Sequence, residues 1–128
     1  ELWQVRELRK IDIVGSLPGL QNLFLQSLPH IAAFPGLTHS IALRRIVVEN
    51  LKGLRDFKAL ETAPALEEFA LADGRSQTPR QLLPVLNHPG VRRVSAGFGS
   101  DRKNKEFSRL REEHGKAELD VWEPFVYR

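Results

Sequence analysis

The stretch LRRIVVENL, residues 43–51, has a counterpart before it, LQNLFLQSL (20–28), and another after it at the same spacing, LEEFALADG (66–74). All three place their apolar residues by one rule: apolar, two variable, apolar, one variable, apolar. Leu20, Leu23 and Leu25 obey it, as do Leu43, Ile46 and Val48, then Leu66, Phe69 and Leu71, then Val91, Val94 and Ala96. A weaker fifth copy ends in Leu119 and Val121, one further period after Val94 and Ala96, with Lys116 in place of the leading apolar residue. The register also persists between copies, because Leu28, Ile31, Phe34 and Leu37 each stand one period before Leu51, Leu54, Phe57 and Leu60. Matching at so many positions marks an internal repeat of roughly 23 to 25 residues.

Each copy predicts two kinds of local structure. The alternation around Ile46, Val47 and Val48 has the period of two expected of a strand. Leu51, Leu54, Phe57, Leu60 and Ala63 then recur at every third position, which suits a tight helical or 3₁₀ return path. A strand and a compact return cannot bury their own apolar side, whereas stacked neighbours can. The expected class is α/β, with a short parallel sheet on one side and 3₁₀ or α-helical returns on the other.

These units resemble leucine-rich repeats, whose hallmark is L-x-x-L-x-L followed by Asn or Cys and further leucines. LRDFKALETAPALEEFAL (54–71) is similar to repeats of the bacterial kind, and the resemblance covers roughly residues 20–121. It implies a solenoid with its sheet on the concave side and its returns on the convex side. Leu28, Leu51 and Gly74 occupy the hallmark Asn or Cys position, so the side-chain ladder at that turn is expected to be missing and the curvature less regular.

The chain divides accordingly into one domain, 1–128, with a cap over 1–19, repeats over 20–96, and a last helix and capping strand over 97–128. LRKIDI (8–13) fits the template but precedes Leu20 by only half a period, too little for a strand and a return. A hairpin cap is expected instead, with Leu8 to Val14 turning through GSLPG (15–19) to pair antiparallel with the first repeat strand. Thr78, Pro79 and Gln81 read as a capping box starting a helix to about Leu86, kinked at Pro84. Ser100 or Asp101 should cap a second helix ending near His114, with Gly115 as its stop. ELDVWEPFVYR (118–128) then reads as a last edge strand that tolerates Pro124.

Composition bounds the function. The 128 residues, 41% hydrophobic and 27% charged, suffice for one core. No apolar run approaches the roughly 20 residues of a membrane span. Zero cysteines exclude a disulfide framework, a thiol nucleophile and thiolate metal ligation, in keeping with a cytoplasmic setting. The lack of methionine, even at position 1, is expected of a trimmed or excised chain. The net charge of +3 and pI near 9.6 arise from 19 basic residues interspersed with 16 acidic ones, the pattern of a mixed solvated surface more than of a phosphate-binding stripe.

Period-two alternation sends the residues between the template positions to the open face of the sheet. The central row is Asp12, Phe24, Val47, Ala70, Ser95 and Asp120. Beside it run Val14, Gln26, Glu49, Ala72, Gly97 and Trp122, and on the other side Lys10, Asn22, Arg45, Glu68, Arg93 and Glu118. The last row either pairs opposite charges across strands about 4.8 Å apart or presents them to a partner. Phe24 and Val47, flanked by Arg45 and Gln26, have the apolar centre and polar rim of a contact patch. Trp122 reads as a binding anchor or, with Trp3, Phe125 and Tyr127, as a closure of the core. The resemblance implies partner binding on this face, and the reading of the rows selects Phe24, Arg45, Val47, Glu49, Glu68, Arg93 and Trp122 as the expected binding residues.

Catalytic chemistry finds no constellation. His30, His39, His88 and His114 are scattered, without acids at zinc-ligand spacing. There is no G-x-S-x-G elbow. SAGFGSDRKNKEF (95–107) lacks the third glycine of G-x-G-x-x-G and the G-K-S/T ending of a P-loop. The adjacent pairs Glu67, Glu68 and Glu112, Glu113 diverge on a strand or helix. The expectation is therefore a bacterial, non-catalytic protein-binding scaffold with no cofactor or metal, such as an immunity or inhibitor protein or an excised recognition segment. The alternative is a nucleic-acid or anion-binding module built on Arg102, Lys103, Lys105, Arg109 and Arg111 after Gly99, with Phe98 and Phe107 as its aromatics.

Overall fold

Five parallel strands form one sheet whose spatial order is the order of the chain: β1 (Leu2–Trp3), β2 (Asn22–Gln26), β3 (Arg45–Glu49), β4 (Glu68–Ala72) and β5 (Arg93–Ala96). The computed structural model describes residues 2–3 and 12–128. Asn22, Arg45, Glu68 and Arg93 stand opposite one another on successive strands, and so do Phe24, Val47, Ala70 and Ser95. From β2 to β5 the register of the sheet is thus the period of the sequence. A return of nearly constant length brings each strand back to the same height, so residues one period apart become neighbours. The architecture is mixed α/β with a parallel sheet.

Alternation decides which side of each strand is buried. Leu23 and Leu25, Ile46 and Val48, Phe69 and Leu71, and Val94 point into one core. The returns close its other side with Leu28, Ile31, Phe34 and Leu37, then Leu51, Leu54, Phe57, Leu60 and Ala63. The second return forms the expected 3₁₀ helix, Lys58–Thr62. Rings of Phe34, Phe57 and Phe69 stack tilted and edge-on, with centroids 6.0 and 6.3 Å apart, and so tie neighbouring repeats together.

The third return begins with the capping box at Thr78, whose amide donates to Gln81 Oε1. A 3₁₀ segment, Pro79–Leu82, passes into α1 (Leu83–Leu86). Pro84 sits in the first turn of α1, where a missing amide costs nothing, so the expected kink takes the form of this switch in helix type. The helix α2 (Asp101–Glu113) is capped by Ser100, whose Oγ accepts from the Lys103 amide, and it stops at Gly115 with φ +69°. Phe98 and Phe107 meet at 5.8 Å to close this end of the core.

A turn ladder is present, one position before the place where it was expected to be missing. Ser27, Asn50 and Asp73 leave their strands in the left-handed region, with φ of 54°, 53° and 50°. Asn50 Nδ2 donates to Ser27 Oγ at 3.2 Å, and the Ser27 and Asn50 amides donate to Glu49 and Ala72 carbonyls on the next strand. Asn and Asp tolerate this backbone because their short polar side chains bond locally. Leu28 and Leu51 are thereby free to fill the core.

Both ends differ from the sequence-based expectation. The strand beside β2 is β1, and it runs parallel, while Asp12–Ser16 forms a 3₁₀ helix with Val14 in the core. No antiparallel partner for β2 is present among the described residues, and residues 8–11 of the expected hairpin strand, Leu8 to Val14, lie outside them. At the other end Ala117 makes a single bridge to Arg93, where the period puts Glu118. Glu118 therefore falls out of the charged row. Lys116, at the leading template position, donates from Nζ to the carbonyls of His88 and Val91, anchoring the turn by polar bonds where the other copies use an apolar residue. Beyond Leu119 the chain leaves the sheet, and no last strand forms. Among the described residues no helix is long and apolar enough to cross a membrane.

Candidate binding face

The open face of the sheet has two unlike halves. Toward the strand ends, Phe24 and Val47 lie side by side and half-buried, with Ala70 and Ser95 continuing the row. Gln26 donates from Nε2 to Glu49 Oε2 at 3.0 Å, forming a polar border to this apolar pair. Phe24 and Val47 keep part of their surface exposed, whereas Ala70 is buried and Ser95 is engaged by Leu119.

The half at the strand beginnings is occupied. Residues 119–128, expected as an edge strand, instead cross the sheet from β5 to β2 over its open face. Ser95 Oγ starts the crossing, donating to the Leu119 carbonyl at 2.6 Å and accepting from its amide at 2.9 Å. Glu123 pairs its carboxylate with Arg93 at 2.9 Å and accepts from Arg45 Nη1 through its carbonyl at 3.1 Å. The Phe125 ring lies under two guanidiniums, with Arg44 and Arg45 at 4.5 and 5.3 Å from its centroid. Arg44 Nη2 donates to the Val126 carbonyl. Gln21 clasps the backbone of Arg128 twice, donating to its carbonyl and accepting from its amide, and Arg128 reaches Glu67 Oε1 at 3.4 Å.

This strap changes the role of the charged row. Arg45 and Glu68 form an ion pair at 3.3 Å and are only 5% and 7% exposed, and Arg93 bonds both Glu68 and Glu123. Three of the residues expected to meet a partner are thus spent on the sheet and the strap. Glu123 takes the place beside Arg93 that Glu118 was expected to fill. Trp122 is 90% exposed in a turn whose amide donates to Asp120 Oδ1, so it closes no core. Of the four aromatics assigned to that closure, Phe125 and Tyr127 stack on each other at 4.8 Å on the strap, and the side chain of Trp3 lies outside the described residues.

The residues around the strap also include Gln21, Arg44, Glu67 and Arg92, a row not assigned to the face from the sequence. Its signal was nonetheless in the repeat. The two variable positions between the first and second apolar residues read Arg44-Arg45, Glu67-Glu68 and Arg92-Arg93, three doublets of alternating sign at one place in the template. Doubling a charge at a strand beginning puts one copy on the sheet face and the other at its rim.

The basic helix is less free than its composition suggests. Lys103 Nζ donates to the carbonyls of Arg75 and Gln77, Arg109 pairs with Glu113, and Arg80 pairs with Glu106. Phe98 and Phe107 are core residues and cannot stack on bases. At the N-terminus of α2, Ser100 Oγ and Asn104 Oδ1 already accept from the amides of Lys103 and Phe98. His88 is buried, accepting from Gly90 at Nδ1 and so donating from Nε2 to the Ala63 carbonyl. No group of three or more His, Asp or Glu able to hold a metal occurs among the described residues. Comparison of the chain with protein-family models, curated protein sequences and solved structures yields no match.

Proposed function

We propose that the chain is a short leucine-rich-repeat solenoid that acts without catalysis, by binding a protein partner on the open face of its sheet. The observation that carries this reading is the row Phe24–Val47, two apolar side chains paired across β2 and β3 and left partly exposed beside the Gln26–Glu49 pair. An apolar centre with a polar border is the usual anatomy of a protein contact. The sheet is narrow, so one compact epitope fits it better than an extended surface, as an immunity or inhibitor protein or a recognition segment would require. Among the seven residues assigned to binding from the sequence, Phe24, Val47 and Glu49 carry this role. Trp122 adds an exposed aromatic on the strap.

The test is capture from native lysate by the wild-type chain beside a Phe24→Asp, Glu49→Arg double variant whose fold is checked by circular dichroism and thermal unfolding. A protein retained by the wild type and lost by the folded variant is the expected result. Equal recovery by both would overturn the assignment of this face.

A further inference from the structure

The strap is held by contacts that a separate chain could make. Glu123 and Val126 present main-chain carbonyls to Arg45 and Arg44, and every residue carries such a carbonyl. The side-chain contacts are few: the Phe125 ring, the Glu123 carboxylate, and Arg128 on Glu67. Trp122, Val126 and Tyr127 face outward and Leu119 is buried where the strap begins, so lifting residues 120–128 from that anchor would forfeit little apolar burial beyond the Phe125 ring.

The cleft beneath, about 160 Å³, is short of negative charge. Four guanidiniums, Arg44, Arg45, Arg92 and Arg93, line it against Glu67 and Glu68. The strap adds one carboxylate there, Glu123, and one further cation, Arg128. Arg44 is only 9% exposed, its Nε has no hydrogen-bond partner, and no ion pair joins it to any carboxylate among the described residues. A buried guanidinium without a counter-ion is costly, and the Nε–H of Arg44 is left without an acceptor.

We propose that this cleft recognises an extended acidic segment of a partner protein carrying an aromatic side chain, and that residues 119–128 occupy it as an intramolecular competitor. This deepens the reading of the open face as the partner-binding surface and rests on it. In the exchanged state the partner's ring replaces Phe125 against Arg44 and Arg45, and its carboxylate pairs with Arg44. Tethering gives the strap a high effective concentration, so the free chain is closed and only a segment with the better charge match displaces it.

The probe is a labelled peptide of residues 119–128 carrying Val126→Glu, titrated against the full chain and against the full chain with Phe125→Ala. The peptide should bind the Phe125→Ala chain about tenfold or more tightly than the wild type, because the internal competitor is weakened. Binding should fall with added salt and weaken about tenfold when the peptide's own Phe125 is replaced by Ala. Equal affinity for both chains, or indifference to the peptide ring, would overturn the proposal. A lock tests it without that variant: the chain has no native cysteine, so Gln21→Cys with Arg128→Cys allows the strap to be tied by a disulfide. Peptide binding should appear on reduction and disappear on oxidation, and equal binding in both states would contradict exchange. A wild-type chain that dimerises in sedimentation, together with no peptide uptake by the Phe125→Ala chain, would assign the cleft to a second copy's strap and overturn the partner segment. None of these readouts involves Phe24 or Glu49, so their failure is distinct from failure of the capture experiment.

Discussion

Arg45 and Glu68, one repeat apart in the chain, lie side by side on β3 and β4 with guanidinium and carboxylate 3.3 Å apart, both more than nine-tenths buried although they stand on the open face of the sheet. The strap accounts for that burial: the Glu123 carbonyl and the Phe125 ring lie against Arg45, and the Glu123 carboxylate shares Arg93 with Glu68. Removing one member of a buried pair leaves the other charge uncompensated. Glu68→Leu should therefore destabilise the chain by about 3 kcal/mol or more in urea unfolding, and Arg45→Met with Glu68→Leu should cost less than Glu68→Leu alone. A double variant as unstable as the single would contradict this account.

Phe125 and Trp122 are neighbours on the strap with opposite expected effects. Phe125→Ala removes two cation–π contacts of roughly 0.5 to 1 kcal/mol each and should increase proteolysis within residues 119–128. Trp122→Ala, at a side chain 90% exposed, should change stability by less than about 0.5 kcal/mol. Thermal unfolding with limited proteolysis separates the two.

Gln77 is a buried polar side chain whose Nε2 donates to the carbonyls of Leu51 and Leu54, at 2.8 and 3.0 Å. It stitches the third return to the second. Gln77→Leu should cost about 1 kcal/mol in urea unfolding, because two buried hydrogen bonds are lost while each carbonyl keeps a second donor, the Leu54 amide on Leu51 and Arg55 Nη1 on Leu54. Gln77→Glu should be at least as harmful, since a carboxylate faces the same two carbonyls.

Lys116 gives a pH dependence of defined sign. Burial lowers its pKa below the ordinary 10.5, so the folded chain holds this proton less tightly than the unfolded chain. Charged Lys116 therefore detracts from stability at pH values below its folded pKa. That penalty fades as pH rises through the lowered value toward 10.5. The stability of the wild type relative to Lys116→Met should rise with pH across this alkaline window. A difference that falls with pH would contradict the burial of this ammonium.

The strands were legible because burial imposes a short period on the chain. Ile46 and Val48, or Phe69 and Leu71, must alternate to reach one core, and Leu51, Leu54 and Phe57 must recur at every third position to close it. The caps at Thr78 and Ser100 were legible for a local reason, since each bonds groups within its own first turn. Of the candidate site, Phe24, Val47 and Glu49 stand half-buried on the sheet face opposite the core residues of their strands, because period two leaves no other side for them. The doublets Arg44-Arg45, Glu67-Glu68 and Arg92-Arg93 were readable in principle, but only the second member of each was assigned to the face.

The course of residues 119–128 was not legible. Leu119 and Val121 continue the apolar template, and nothing local distinguishes a fifth strand from a strap. The outcome depends on Arg44, Arg45 and Gln21, which lie 78 to 107 residues away from their partners Glu123, Val126 and Arg128 and come together only when β2 and β3 stack. A repeat of nearly constant length determines by itself which residues become neighbours within the sheet, because the period is the register. What covers the sheet's open face is decided by long-range complementarity of charge, ring and carbonyl, which exists only once the rows have formed.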